Sequence, residues 1–165
     1  MHEPRRSMTL TAVLGTVLLA AACAHRIGSQ VPVTPYEQAM STNAVIAAVN
    51  NSVGAGLVAL NELGVAPFKD VERTRSLLDY TYRIAAADKQ LTTILALGAD
   101  KAQPRGAEIK QYTDAIAAAA QELVNTGVLG VKNPRTQRNV DTEVQTIAIL
   151  VGDLYSTLVA AGIAH

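Results

Sequence analysis

The sequence predicts an all-α fold, an up-down-up-down antiparallel four-helix bundle, and three observations carry that expectation. Four stretches repeat apolar residues at intervals of three and four, helix-capping signals punctuate them, and the joints between them are short. Composition agrees. The chain is rich in Ala, with five Tyr, one Phe and no Trp, which favours close-packed helices over a sheet built on aromatic and β-branched faces.

The first helix is expected over about 35–63. Thr34-Pro35-Tyr36-Glu37 combines a hydroxyl N-cap, Pro at the first helical position and Glu at the third, the pattern of a capping box. Ala39, Ile46, Val53 and Leu60 form its inward line, flanked by Tyr36, Met40, Val49 and Leu57, before Gly64 and Pro67 stop it. Gly54 and Gly56 interrupt it at a cost of about 1 kcal/mol each relative to Ala, so a bend or a close neighbour is expected there.

The second helix is expected over about 68–97, with Asp70 and Glu72 complementing the dipole at its start and Gly98 capping its end. Leu77, Ile84 and Leu91 form its inward line, with Leu78, Ala85, Ile94 and Leu95 beside them. A third helix, about 105–126, would bury Ile109, Tyr112, Ile116, Ala119, Ala120 and Leu123 before Gly127. The fourth, about 134–163, follows Asn133-Pro134 and carries Val140, Val144, Ile147, Val151, Leu154 and Leu158.

Linkers of a few residues cannot carry the chain back along helices of about 45 Å, so consecutive helices must be antiparallel neighbours. The third helix is the shortest, and Val128, Leu129 and Val131 are expected to cover the end that it leaves open.

Ahead of this domain, which spans 34–165, lies a segment of different character. Residues 1–22 have a basic start at Arg5 and Arg6, an apolar run from Leu10 to Leu19, and small residues leading to Cys23. That is the three-part pattern of a secretory signal, and the run is short for a membrane-spanning helix. Residues 23–33 contain Gly, Ser and Pro without periodicity and are expected to act as a tether.

Leu19-Ala20-Ala21-Ala22-Cys23 resembles the lipobox of bacterial lipoproteins, with Ala20 where that family usually has Leu. The resemblance implies a diacylglyceryl group on the Cys23 thiol, cleavage before Cys23, and a lipid-anchored protein in the cell envelope. Ala24 follows the cysteine in place of Asp, which in the enteric sorting pattern implies the periplasmic side of the outer membrane. The membrane is then one partner, held through acyl chains that contribute about 0.8 kcal/mol per buried methylene.

Charge and residue inventory exclude several classes of function. The chain has 14 basic and 14 acidic side chains, and removing Arg5, Arg6 and Glu3 with the signal leaves 12 against 13, so no nucleic-acid footprint is expected. His2, His25 and His165 lie in the signal, the tether and the last position, and with one Cys they supply neither a zinc ligand set nor a catalytic base. Ser41, Ser52, Ser76 and Ser156 fall within helices and outside any Gly-x-Ser-x-Gly elbow. No cofactor and no enzymatic activity are expected.

Two carboxylate pairs, Asp70 with Glu72 and Asp141 with Glu143, are explained as dipole partners at helix starts. Lys132, Arg135 and Arg138 make a small basic patch explained as a solvated helix start. In the fourth helix, Glu143 and Asp153 argue against a membrane span.

One constellation remains. Beside their apolar lines the first two helices carry second lines at seven-residue spacing, Tyr36-Asn43-Asn50-Leu57 and Thr74-Thr81-Asp88-Leu95. In an antiparallel hairpin turning near residue 65, Asn43 comes level with Asp88 and Asn50 with Thr81. A polar layer is expected, whose groups satisfy one another, fix register or sit at the half-exposed edge of the interface, or else form a small-ligand site with Asp88 as an acid of raised pKa. The expected function is therefore a non-catalytic binding or structural module at a membrane surface, with a protein partner or a second copy on a helix face. The alternative is a small-ligand carrier or sensor using Asn43, Asn50, Thr81 and Asp88.

Overall fold

The computed structural model describes residues 33–127 and 134–164. Its helices are α1, Pro35–Glu62; α2, Val71–Leu95; α3, Gly106–Gly127; and α4, Pro134–Ala160. A single α-helical turn, Ala99–Ala102, and a 3-10 turn, Gln103–Arg105, join α2 to α3. No strand occurs among the described residues.

The capping chemistry forms as the sequence dictates. Thr34 Oγ1 accepts from the Glu37 N–H while the Glu37 carboxylate accepts from the Thr34 N–H at 2.9 Å, closing the capping box that starts α1. At α2 the cap is Asp70 itself, whose carboxylate accepts from the N–H groups of Glu72 and Arg73, so the helix begins at Val71 rather than Phe68. Gly64 and Gly98 lie in the left-handed region, at φ 65° and 94°, where the chain leaves α1 and α2.

The helices close a ring in which α1 packs on α2, α2 on α3, α3 on α4, and α4 back on α1. Side-chain bonds fix the antiparallel sense. Tyr36, at the start of α1, donates to the carbonyl of Leu95 at the end of α2, and Arg73 at the start of α2 reaches the carbonyl of Thr126 near the end of α3. The all-α, up-down-up-down four-helix bundle is the observed fold.

The core is built from the inward lines. Ile46, Leu77, Ile84, Leu91, Ile109, Ile116, Ile147 and Leu154 are fully buried. Ala119 and Ala120 are also fully buried, and their single methyl groups allow close approach of α3 to its neighbours. Phe68, which the sequence places at a helix start, instead lies in the α1–α2 connection with no exposed surface. It is held there by Asn61 Nδ2 and Thr74 Oγ1, both donating to its carbonyl.

Several expectations are corrected. Met40 is 42% exposed, and Ala85 faces solvent while Ala87 is buried. On α3 the half-buried Tyr112 cedes the buried flank to Thr113, whose hydroxyl donates back to the Lys110 carbonyl and so enters the interior satisfied. Because α4 begins at Pro134, Asp141 and Glu143 lie two turns in and are not dipole partners. Burial raises the Glu143 carboxyl above its ordinary range.

Neither helical glycine of α1 marks a forced contact. A methyl on Gly54 would meet Thr81 Oγ1 at an ordinary 3.6 Å, and one on Gly56 would meet open space. The close approach occurs elsewhere: a Cβ on Gly106 would stand 2.5 Å from the Ile163 carbonyl oxygen, where α3 starts against the end of the chain's last turn. The proposed cover by Val128, Leu129 and Val131 lies outside the described residues.

Candidate functional site

The flank 74–81–88–95 of α2 faces α1, and the flank 36–43–50–57 of α1 faces α2. This orientation follows from three bonds along the seam. Tyr36 donates to the Leu95 carbonyl, Asn43 Nδ2 to Thr92 Oγ1 at 2.7 Å, and Asn50 Nδ2 to the Thr81 carbonyl at 3.0 Å. The two seven-residue lines are thus one interface, as their spacing predicts.

All four residues singled out in the sequence are buried: Asn43 is 4% exposed, Asn50 3%, Thr81 4% and Asp88 7%. Asn50 and Thr81 pair as their heights require, although the acceptor is the Thr81 backbone carbonyl, freeing the Thr81 hydroxyl to donate to the Leu78 carbonyl at 2.8 Å. Asn43 departs from expectation. Its amide nitrogen donates to Thr92, one turn beyond Asp88, and Asn43 forms no hydrogen bond to the Asp88 with which the sequence places it level. Thr92 was missed because it stands off the seven-residue line, yet a hydroxyl one turn from Asp88 is the signal that points to it.

Three oxygens on the seam are unpartnered, while each Asn Nδ2 keeps a second N–H beyond the one it gives to α2. Asn43 Oδ1, Asn50 Oδ1 and Asp88 Oδ1 are each buried without a hydrogen-bond partner. Both amides are anchored by their nitrogen to α2, which leaves their carbonyl oxygens within the interface. Opposite Asp88, α1 carries no charged side chain from Gln38 through Asn61. Burial alone pushes the Asp88 carboxyl up to about 6.

Elsewhere the outer α1–α2 surface near the hairpin forms an open groove of about 400 Å³, lined by Val58, Asn61, Val71, Leu78 and Tyr82 with Arg75 and Asp79 at its edge. Arg75 there already pairs with Glu72. Among the described residues no group of three or more His, Cys, Asp or Glu stands together to hold a metal ion. The helix α1 and the stretch Thr142–Ala160 are long and apolar enough to cross a membrane by length and composition, although each buries one face in the bundle.

No protein-family model, curated protein or solved structure matches this chain. Functional assignment therefore rests on the residues themselves. Cys23, the expected lipidation position, lies outside the described residues.

Proposed function

We propose that this is a small envelope lipoprotein, anchored through acyl chains on Cys23 at the periplasmic side of the outer membrane, that works by binding and not by catalysis. The observation that carries the binding role is the outward surface of α1. Met40, Ala44, Ala48, Asn51, Ala55 and Val58 are exposed along it, within 24 consecutive uncharged residues. Solvated helix faces ordinarily carry charge, as α2 does with Glu72, Arg75, Asp79, Arg83 and Lys89. An uncharged helix face is suited to being covered by a partner's helix or by a second copy.

The test has two arms on protein extracted from native membranes. Intact mass is expected to equal the chain from Cys23 plus diacylglyceryl and acyl groups, and Cys23→Ala is expected to release the protein from the membrane. Cross-linking from Ala48→Cys is expected to trap a defined adduct, whereas the same cysteine placed at Arg83 is expected to trap none. An unmodified Cys23 removes the anchor; identical adducts from both positions remove the binding face.

A second reading, a small-ligand carrier or sensor, is favoured by the three orphaned acceptors of the α1–α2 seam. Its ligand would sit among Asn43, Asn50, Thr81 and Asp88.

A further inference from the structure

Met40 and Val58 stand five whole helical turns apart on α1, so both lie on one line beside the α2 seam, separated by about 27 Å. Both are exposed. Val58 is one wall of the open groove of about 400 Å³ that Val71, Leu78 and Tyr82 continue on α2. Met40, at the other end of the same line, is an unbranched apolar side chain of the kind that fills irregular gaps.

A groove at one end and an apolar knob at the other are matched by a single operation. A twofold axis crossing α1 at Val49, midway between Met40 and Val58, reverses a second copy and sets Met40 of each against Val58 of the other. Ala44, Ala48 and Ala55, exposed between those ends, then run along the second α1, where single methyl groups let helix axes approach to about 8 Å.

Charge fits the same operation. Asn61 and Thr74 both donate to the Phe68 carbonyl, so Arg75 stands level with the end of α1. The axis brings Glu37 of one copy to that level on the other, beside Arg75, whose guanidinium offsets the approach of Glu37 to Glu62. Between these ends α1 carries no charged side chain from Gln38 to Asn61, so neither copy buries an unpaired charge along the contact.

We propose that the outward face of α1 is closed by a second copy of this chain, antiparallel about Val49, with Met40 of each copy seated in the other's groove among Val58, Val71, Leu78 and Tyr82. The inference rests on the reading of α1 as a binding face and names its partner. The span from Glu37 to Glu62 is about 39 Å, and a helix about 10 Å wide buries about 400 Å² there on each copy. That is the size of a weak interface, which confinement of both copies to one membrane strengthens.

The test is sedimentation of the purified full chain in detergent from about 1 µM to about 1 mM, where a reversible monomer–dimer equilibrium is expected. Met40→Lys and Val58→Glu, both at exposed positions, are each expected to weaken the dimer by about tenfold or more. The chain carrying both is expected to recover most of that loss, because the introduced cation and anion are about 27 Å apart within one chain and meet only across the axis. Oxidised Ala48→Cys is expected to give a disulfide-linked product of twice the chain mass, with the unsubstituted chain treated alike as the control for Cys23.

A dimer that Met40→Lys and Val58→Glu leave unweakened, or losses that add without recovery, overturn the arrangement. A chain that stays monomeric throughout while Ala48→Cys traps a different protein in native membranes overturns the second copy and leaves the binding face standing. A monomer with no adduct removes both.

Discussion

Asp88 shows how a single side chain acquires properties that its residue type does not have. In water an Asp carboxyl titrates near 4; in the α1–α2 seam it is 7% exposed and titrates at about 6. The folded state therefore binds the proton more tightly than the unfolded chain does. Stability is fully present below about pH 4 and declines as pH rises through 6, with nothing further lost above that. Asp88→Asn is expected to raise unfolding free energy at pH 7.5 by an order of 1–2 kcal/mol, allowing for solvent screening. The gain should shrink towards pH 4 in urea titrations, and a gain independent of pH would contradict this account.

Glycines give a sharper contrast at the same scale. Gly106→Ala drives a methyl into the Ile163 carbonyl, which backbone cannot easily evade, and is expected to destabilise by about 1–3 kcal/mol. Gly56→Ala meets open space within α1 and is expected to stabilise by about 0.5–1 kcal/mol. Thermal melts of the two variants should shift in opposite directions. The sequence marks Gly56 as costly, but nothing local distinguishes the indispensable Gly106, because its neighbour is more than 50 residues away.

The elements were largely legible in the sequence because their determinants are local. A capping box is a contact between residues three apart, so Thr34 and Glu37 can be read directly, and Thr34→Ala is expected to lower stability by about 1 kcal/mol in urea titrations. Inward lines at three and four also follow from helix geometry alone, and Ile46, Ile84, Ile116 and Ile147 are buried accordingly. Flanks are less legible. Whether Met40 or Val49 turns inwards depends on where the neighbouring helices stand, and the structure buries Val49 and exposes Met40.

Phe68 is the clearest case of an element whose boundary the tertiary structure moves. Apolar periodicity extends α2 back to it, but Asp70 caps the helix later and Phe68 becomes the plug beneath the α1–α2 turn. Its carbonyl collects the bonds from Asn61 and Thr74 that tie both helices to the turn. Phe68→Ala is expected to destabilise by about 3–5 kcal/mol by leaving a cavity, read from the midpoint of denaturant unfolding at unchanged slope.

For the whole molecule, the charges are divided between helices. Charge is concentrated on α2, and the outward side of α1 has none between Gln38 and Asn61. Such an arrangement lets one side of the bundle remain solvated while another is suited to being covered. The polar α1–α2 seam is a separate feature, facing inward where the uncharged surface faces out.

By itself the sequence determined four helices, their order, their caps and their inward lines, because helix period, capping bonds and short linkers act over a few residues. It also placed Asn43 with Asn50, and Thr81 with Asp88, each on one side of its helix, since a seven-residue spacing returns to the same side. Only the tertiary structure decided that Asn43 bonds Thr92, that three seam oxygens are without a partner, and that a Cβ at Gly106 would meet backbone. Those outcomes depend on how segments distant in the chain are placed against one another, and that placement is set by packing the entire core at once.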